Sequence, residues 1–582
     1  MLVCPKVVPQ RRAMKSNFIL RARILSALFI LAALLLASRL YFVQIVHGAE
    51  YRRSASAQYS EPAPDTEARG SIFFTKKDGD LVAAAVQEEG WRIAIAPKDM
   101  SDADAVYETL NALMPIDRTR FFASAAKSDD PYEEIAFHVT DGVAAKIRAE
   151  KLPGVIPVRD EWRYYPAGSL ASHTIGFVGY QGDRKVGVYG LERQWQDTLL
   201  KSSSGLYVNP FAELFTSIGS AFTSDPAGGS GSLITSIEPS VEQELEDVLQ
   251  GVVRTHTPKE AGGIIMDPKT GEIVAISAKP DFDPNTYNIS DPAVFTNPLV
   301  ENVYEMGSIM KPLTVAAGLD VGAITPQMTY NDTGCIERSG KKICNYDGKA
   351  RGVVSMQEVL NQSLNTGATF VAEKMGRNVF GEYVHAYALG EKSGVDLPSE
   401  ARGIIHSIDR GYDVDYASAS FGQGIAVTPM EMIRALSVLG NGGTLPSPHV
   451  VTGIRFESGI TRAIKPVAGA RVISEESAAA VTAMLVKVFD DALLGGVLKQ
   501  ERYSIAAKTG TAQIAIPGGG GYYADRYLHS FFGYFPAYDP KFIVFLFAVE
   551  PHGAEFASAS LARPFLDIAK FLINYYDIPP DR

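Results

Sequence analysis

Three short motifs in one chain order restrict the fold more than any other feature of these 582 residues. They are Ser308-Ile-Met-Lys311, Ser363-Leu-Asn365 and Lys508-Thr-Gly510. The first opens a helical run. The second falls where a helical pattern breaks. The third sits inside a strand-like run, Tyr503 to Ile516. A fold that uses all three must bring a helix start, a loop and a strand to one point. The trio then supplies a nucleophile, a base, a proton relay and a carboxylate clamp, with no metal and no histidine. That set suits acyl transfer through a serine ester.

Singly, the motifs carry little. Ser339-Gly-Lys-Lys342 also fits the first pattern, and Lys269-Thr-Gly271 the third. Short matches of this kind arise by chance or from turn chemistry. Asp267-Pro-Lys-Thr-Gly271 lies between two apolar runs and predicts a hairpin turn.

Residues three apart share a helix face, so Lys311 lies over Ser308. A buried lysine that is neutral near pH 7 can take the serine proton. The helix N-terminus offers N–H groups to an oxyanion, and Pro312 suits a first turn. Ser363 is expected to relay a proton. Asn365 is expected to hydrogen-bond Lys311 and a substrate amide. Along a strand, side chains alternate faces. Thr509 and Thr511 therefore point one way, placed to hold a substrate carboxylate. Lys508 points the other way and adds positive potential. Gly510 is expected to leave room for a peptide beside the backbone.

A net charge of −11 argues against a nucleic-acid binder. The first 23 residues hold six Lys or Arg and no acid. The apolar stretch 24–46 after them matches one bilayer crossing. The basic flank then places residues 1–23 in the cytoplasm and everything after about residue 50 outside. A cleaved signal peptide is the rival reading of that stretch. Arg39 within it snorkels to the interface or meets a partner helix. The glycine-serine stretch Ala227 to Ser232 marks a linker. The expected layout is therefore an anchor at 24–46, a pedestal at 50–230 and a catalytic domain at 231–582. From 260 onward a strand hairpin, then helices, then two strands and a last helix, Ala562 to Tyr576, predict an α+β domain. Its sheet, mainly antiparallel and flanked by helices, is closed by both chain ends.

The trio is already associated with penicillin-binding proteins and class A β-lactamases, and the wider chain resembles class B penicillin-binding proteins. The likeness includes Val303 to Ser308 and Phe421 to Pro429. It also takes in Arg69-Gly-Ser-Ile72, Arg163 to Gly168 and Gly190-Leu-Glu192, which match boxes of that family's pedestal. The wording Tyr304-Glu-Met-Gly-Ser308 is similar to the septal, cell-division branch. Two segments depart from the family's pattern, Phe74 to Gly79 and Ser558 to Pro564.

The resemblance implies a monofunctional peptidoglycan D,D-transpeptidase without a cofactor, blocked by β-lactams. Its substrates would be stem peptides ending in D-Ala-D-Ala. Its oxyanion hole would use the N–H groups of Ser308 and Thr511. Its partners would be a polytopic membrane glycosyltransferase and division proteins. An elongation-branch transpeptidase, a D,D-carboxypeptidase or β-lactamase, and a non-enzymatic β-lactam receptor are the competing readings.

Cys335 to Cys344 is symmetric about Ser339-Gly340. A two-residue turn there pairs the two cysteines at a non-hydrogen-bonded position, close enough for a disulfide. An extracytoplasmic location favours the bridge; two reduced, buried cysteines are the alternative.

Overall fold

The computed structural model describes residues 69–582 except 183, 201–229, 468 and 519, and scattered positions between 23 and 41. The chain divides into two compact units, residues 1–66 and 67–582. In the first, the described positions are helical, with apolar side chains such as Leu28, Leu31 and Leu35 exposed. Among the described residues no helix is long and apolar enough to cross a membrane. Parts of the expected anchor, including 42–46, and the tail to residue 22 lie outside the described residues.

The second unit begins with strands β1 (Ile72–Thr75), β2 (Leu81–Ile95), β3 (Glu133–Val139) and β4 (Val155–Tyr164), the hairpin β5 (Val178–Gln181) and β6 (Arg184–Gly187), and β7 (Gly231–Thr235). The long β2 pairs with β1, β3 and β4. Helices α1 (Ala103–Leu113), α2 (Arg118–Ala125) and α3 (Asp141–Glu150) bury Leu110, Phe121 and Ile147 against it. The expected linker falls partly on 227–229, outside the described residues; its end forms β7, which runs parallel to β1. The three pedestal boxes meet through charge. The buried Glu192 carboxylate takes Arg69 Nε at 2.5 Å and Arg163 Nε at 2.6 Å. Removing one partner of such a pair strands a buried charge and costs about 3–5 kcal/mol.

Past β7, Glu238 caps helix α4 (Pro239–His256), its carboxylate accepting from the Val241 N–H at 2.8 Å. Next come β8 (Glu260–Met266) and β9 (Ile273–Lys279). The short strands β10 (Thr329–Asp332), β11 (Cys335–Arg338), β12 (Lys341–Cys344), β13 (Gly352–Ser355), β14 (Val451–Phe456) and β15 (Thr461–Ala463) precede β16 (Ala506–Ala515), β17 (Tyr522–Phe535) and β18 (Phe542–Val549). Strands β8, β9 and β16 to β18 belong together. They form one antiparallel sheet in the order β16-β17-β18-β8-β9. Sequence-distant strands thus close one sheet, as the pattern predicts. Every residue of the central β18 is buried, because both faces are covered. Phe531, Val544 and Leu546 face α4 and the last helix, α8 (Ala562–Tyr575). Phe532, Phe545 and Phe547 face the opposite layer. That layer includes α5 (Lys311–Asp320), α6 (Asn365–Met375) and α7 (Glu475–Lys487). The edge strand β16 therefore borders the helical layer, which is where the trio meets.

Both motif decoys are turns. In Lys269-Thr-Gly271, Asp267 Oδ1 accepts from the N–H groups of Lys269 and Thr270, and Lys269 pairs with Asp539. Ser339-Gly340 joins β11 (Cys335–Arg338) to β12 (Lys341–Cys344) with both φ values positive, +49° and +71°. Such a turn matches the twist of its strands. The register pairs Cys335 with Cys344, Cα atoms 4.1 Å apart, and a disulfide joins them.

Candidate active site

Ser308 lies in the 3-10 turn Gly307–Met310, which runs directly into α5. Lys311 is the first residue of α5, with Pro312 in the first turn where its missing N–H costs nothing. The lysine side chain returns over that turn, and its Nζ lies 2.9 Å from Ser308 Oγ. It donates to Ser363 O at 2.6 Å and lies 3.1 Å from Ser363 Oγ. Lys311 is fully buried. Burial, and then the nearby Lys508 charge, hold its ammonium well below the usual lysine range. The desolvated charged form is disfavoured, which leaves an amine able to accept a proton.

Ser363 sits in the left-handed region at φ +55°, just before α6. A non-glycine residue there is held by its surroundings. The hold is visible: its carbonyl accepts from Lys311, and its hydroxyl lies between Lys311 and Lys508 Nζ, the latter at 3.0 Å. The cap position of α6 belongs to Leu364 without a side-chain bond, so Ser363 does not serve as a helix cap. Lys508 also donates to Thr509 O at 3.0 Å. Burial alone brings its pKa down to about 7.

Asn365 takes another partner than expected. Its Nδ2 donates to Cys344 O at 2.8 Å, tying the second motif to the bridged hairpin. Behind that contact, buried Asp332 accepts from Thr366 Oγ1 at 2.7 Å and from Asn345 Nδ2 at 3.0 Å. Burial opposes its charge, but these bonds and backbone N–H groups hold its carboxyl below the usual range.

The strand alternation holds: Thr509, Thr511 and Gln513 line a cavity of about 1050 Å³ beside Ser308, Ser363 and Asn365. Thr511 Oγ1 accepts from the Ala557 N–H at 3.1 Å. Gly510 faces the other way. A Cβ there would stand 2.3 Å from Ser530 Oγ and 2.6 Å from Met306 O. Its bareness is therefore required by packing under the Ser308 turn, not by room for a peptide.

Several wall residues were not expected at the site from sequence: Lys341 and Lys342, read only as part of a motif decoy, Phe421, read only as family likeness, and Tyr346, Glu555 and Phe556. Tyr346 and Phe556 meet edge to face at 5.6 Å. The available signal was the cysteine-framed hairpin between the first two motifs. Only the fold brings it to the cavity. Among the described residues no group of side chains could hold a metal ion.

This arrangement can activate a serine, stabilise an ester and shuttle a proton through Ser363. Comparison with known proteins agrees in kind. Residues 261–570 match the penicillin-binding protein transpeptidase domain, and residues 64–209 the penicillin-binding protein dimerisation domain. Stage V sporulation protein D of Bacillus subtilis is 28% identical over 95% of this chain and 85% of its own. Peptidoglycan D,D-transpeptidase FtsI of Escherichia coli is 25% identical over 98% and 95%. Penicillin-binding protein 2X of Streptococcus thermophilus superposes with a TM-score of 0.70 at 21% identity, over 88% of this chain and 81% of its own. Penicillin-binding protein 3 of Mycobacterium tuberculosis, solved with aztreonam, gives 0.67 at 21% identity over 88% and 97%.

Proposed function

Because the chain belongs to the penicillin-binding protein transpeptidase family, we propose that it is a peptidoglycan D,D-transpeptidase whose nucleophile is Ser308. The observation that carries this reading is a buried Lys311 held between Ser308 and Ser363. A neutral Lys311 uses its N–H groups on Ser363 and its lone pair on the Ser308 O–H. Ser308 Oγ attacks the penultimate D-alanine carbonyl as its proton passes to Lys311. The N–H groups of Ser308 and Thr511 hold the oxyanion. The peptide C–N bond breaks, and terminal D-alanine leaves with a proton delivered through Ser363. An acceptor amine then attacks the ester, forming the crosslink and releasing Ser308. Thr509 and Thr511 hold the donor carboxylate, with Lys508 adding positive potential behind them. A β-lactam follows the same first step and stays on Ser308.

A relative named for sporulation and the Tyr304-Glu-Met-Gly-Ser308 wording, similar to the septal branch, support work at a division site. The basic tail and apolar stretch 24–46 support a single-pass anchor with the catalytic domain outside the cytoplasmic membrane. One membrane segment cannot form a polytopic polymerase, so a separate membrane glycosyltransferase supplies the strands and meets the anchor and pedestal.

Labelled penicillin should acylate the wild type, and a stable adduct on Ser308→Ala would sink the assignment. Chromatography of products from a stem-peptide substrate separates crosslinking from trimming by water and from acylation alone. For the partner, replacing 24–46 with an unrelated anchor should weaken co-purification. Full retention of binding and function leaves only a tether there, and unchanged binding after deletion of 60–225 removes the pedestal contact.

A further inference from the structure

The bridged hairpin is closed on itself and tied to its surroundings in three ways. The Cys335–Cys344 disulfide closes it. Asn365 bonds Cys344 O at 2.8 Å. Buried Ile343 packs with Ala368, Ala417 and Phe421. Arg338 pairs with Glu373 of α6. On this held frame Lys341 and Lys342 are exposed yet line the cavity. Neither makes an ion pair with the described residues, although Glu337 lies across the ladder from Lys342. Glu555 is the one carboxylate among the lining residues. In a chain of net charge −11, two adjacent unpaired lysines at the cavity rim bias it toward anions.

We propose that Lys341 and Lys342, whose side chains leave opposite faces of β12 and so flank the cavity rim, give it a positive potential that selects donor stem peptides carrying a side-chain carboxylate besides the terminal one. This rests on the transpeptidase reading above. That reading already assigns the terminal carboxylate to Thr509 and Thr511, which leaves the hairpin lysines for a second anionic group further along the donor. The held hairpin fixes where the two lysine stems start, so only their side chains have to be ordered when the substrate arrives.

The test uses the full-length protein in detergent and two synthetic donors ending in D-Ala-D-Ala. They differ in one side-chain group, a free carboxylate or its primary amide. D-Alanine release gives kcat/KM for each. The wild type should prefer the carboxylate about tenfold, as expected for close charges in partly exposed surroundings. The preference should shrink as ionic strength rises from about 0.1 to 1 M. In the Lys341→Gln/Lys342→Gln double variant the ratio should fall to near one, with each single variant between. Glu337→Gln should raise it by removing the opposing charge. A wild-type ratio near one, or a double variant that keeps the preference, overturns the selection. No D-alanine from either donor overturns the transpeptidase reading and takes the selection with it.

Discussion

Asn365 donates its side-chain amide to the main-chain carbonyl of Cys344 at 2.8 Å. The contact spans two pieces of chain that only the fold brings together, and it couples the middle motif to the wall of the cavity. Asn365→Ala removes a bond worth about 1 kcal/mol and frees one end of β12. The expected result is slower penicillin acylation with a small fall in thermal midpoint. Acylation at the wild-type rate would show that the hairpin position does not matter to the first step.

The hairpin's own closure gives a second test. The chain has three cysteines, and two are joined. Thiol labelling of the denatured, unreduced protein should therefore find one reactive group, Cys4. Three would refute the bridge. Cys335→Ser/Cys344→Ser should cost about 2–3 kcal/mol, the chain-entropy value for so short a loop, read from denaturant unfolding.

Lys311→Ala should slow acylation by roughly 10²–10⁴, the usual worth of a positioned general base. Stopped-flow mixing with a chromogenic β-lactam measures it. Undiminished acylation would move the base elsewhere.

The lowered pKa of Lys508, about 7, fixes the sign of a pH effect. Lysine is charged below its pKa and neutral above it. Attraction for the donor carboxylate is thus present at pH 6 and fading by pH 8. KM for a carboxylate-ended donor should rise over that interval, while Lys508→Arg, charged throughout, should flatten the curve. A flat wild-type profile would remove Lys508 from donor binding.

Gly510→Ala should destabilise by about 1–3 kcal/mol, as overpacking does, and slow acylation. The new methyl meets Met306 O beneath the Ser308 turn. Gly520→Ala, with nothing within 4 Å of its Cβ, should stay within about 0.5 kcal/mol of wild type. Equal behaviour of the two would contradict the packing role.

Much of this molecule was legible in its residues. The ordered trio named Ser308, Lys311, Ser363 and Lys508, which the fold brings within hydrogen-bond reach. Period-two alternation predicted that Thr509 and Thr511 share a face, because strand geometry is local. The symmetry of Cys335 to Cys344 predicted the hairpin register, because a two-residue turn leaves little choice.

Other features depend on which distant segments become neighbours, and no local rule encodes that. The sequence could not show that Asn365 would bond Cys344 O, that Gly510 would press on Met306, or that β7 would join the sheet of β1 and β2. Nor could it show that the two lysines of a motif decoy would stand at the cavity rim. The low pKa values belong here too, since desolvation needs the assembled layers around Lys311 and Lys508. Residue type and spacing determined which groups exist, in what order, and which local turns and strands carry them. The tertiary structure decided which of those groups lose water and which face one another, because burial and proximity arise only when the layers close.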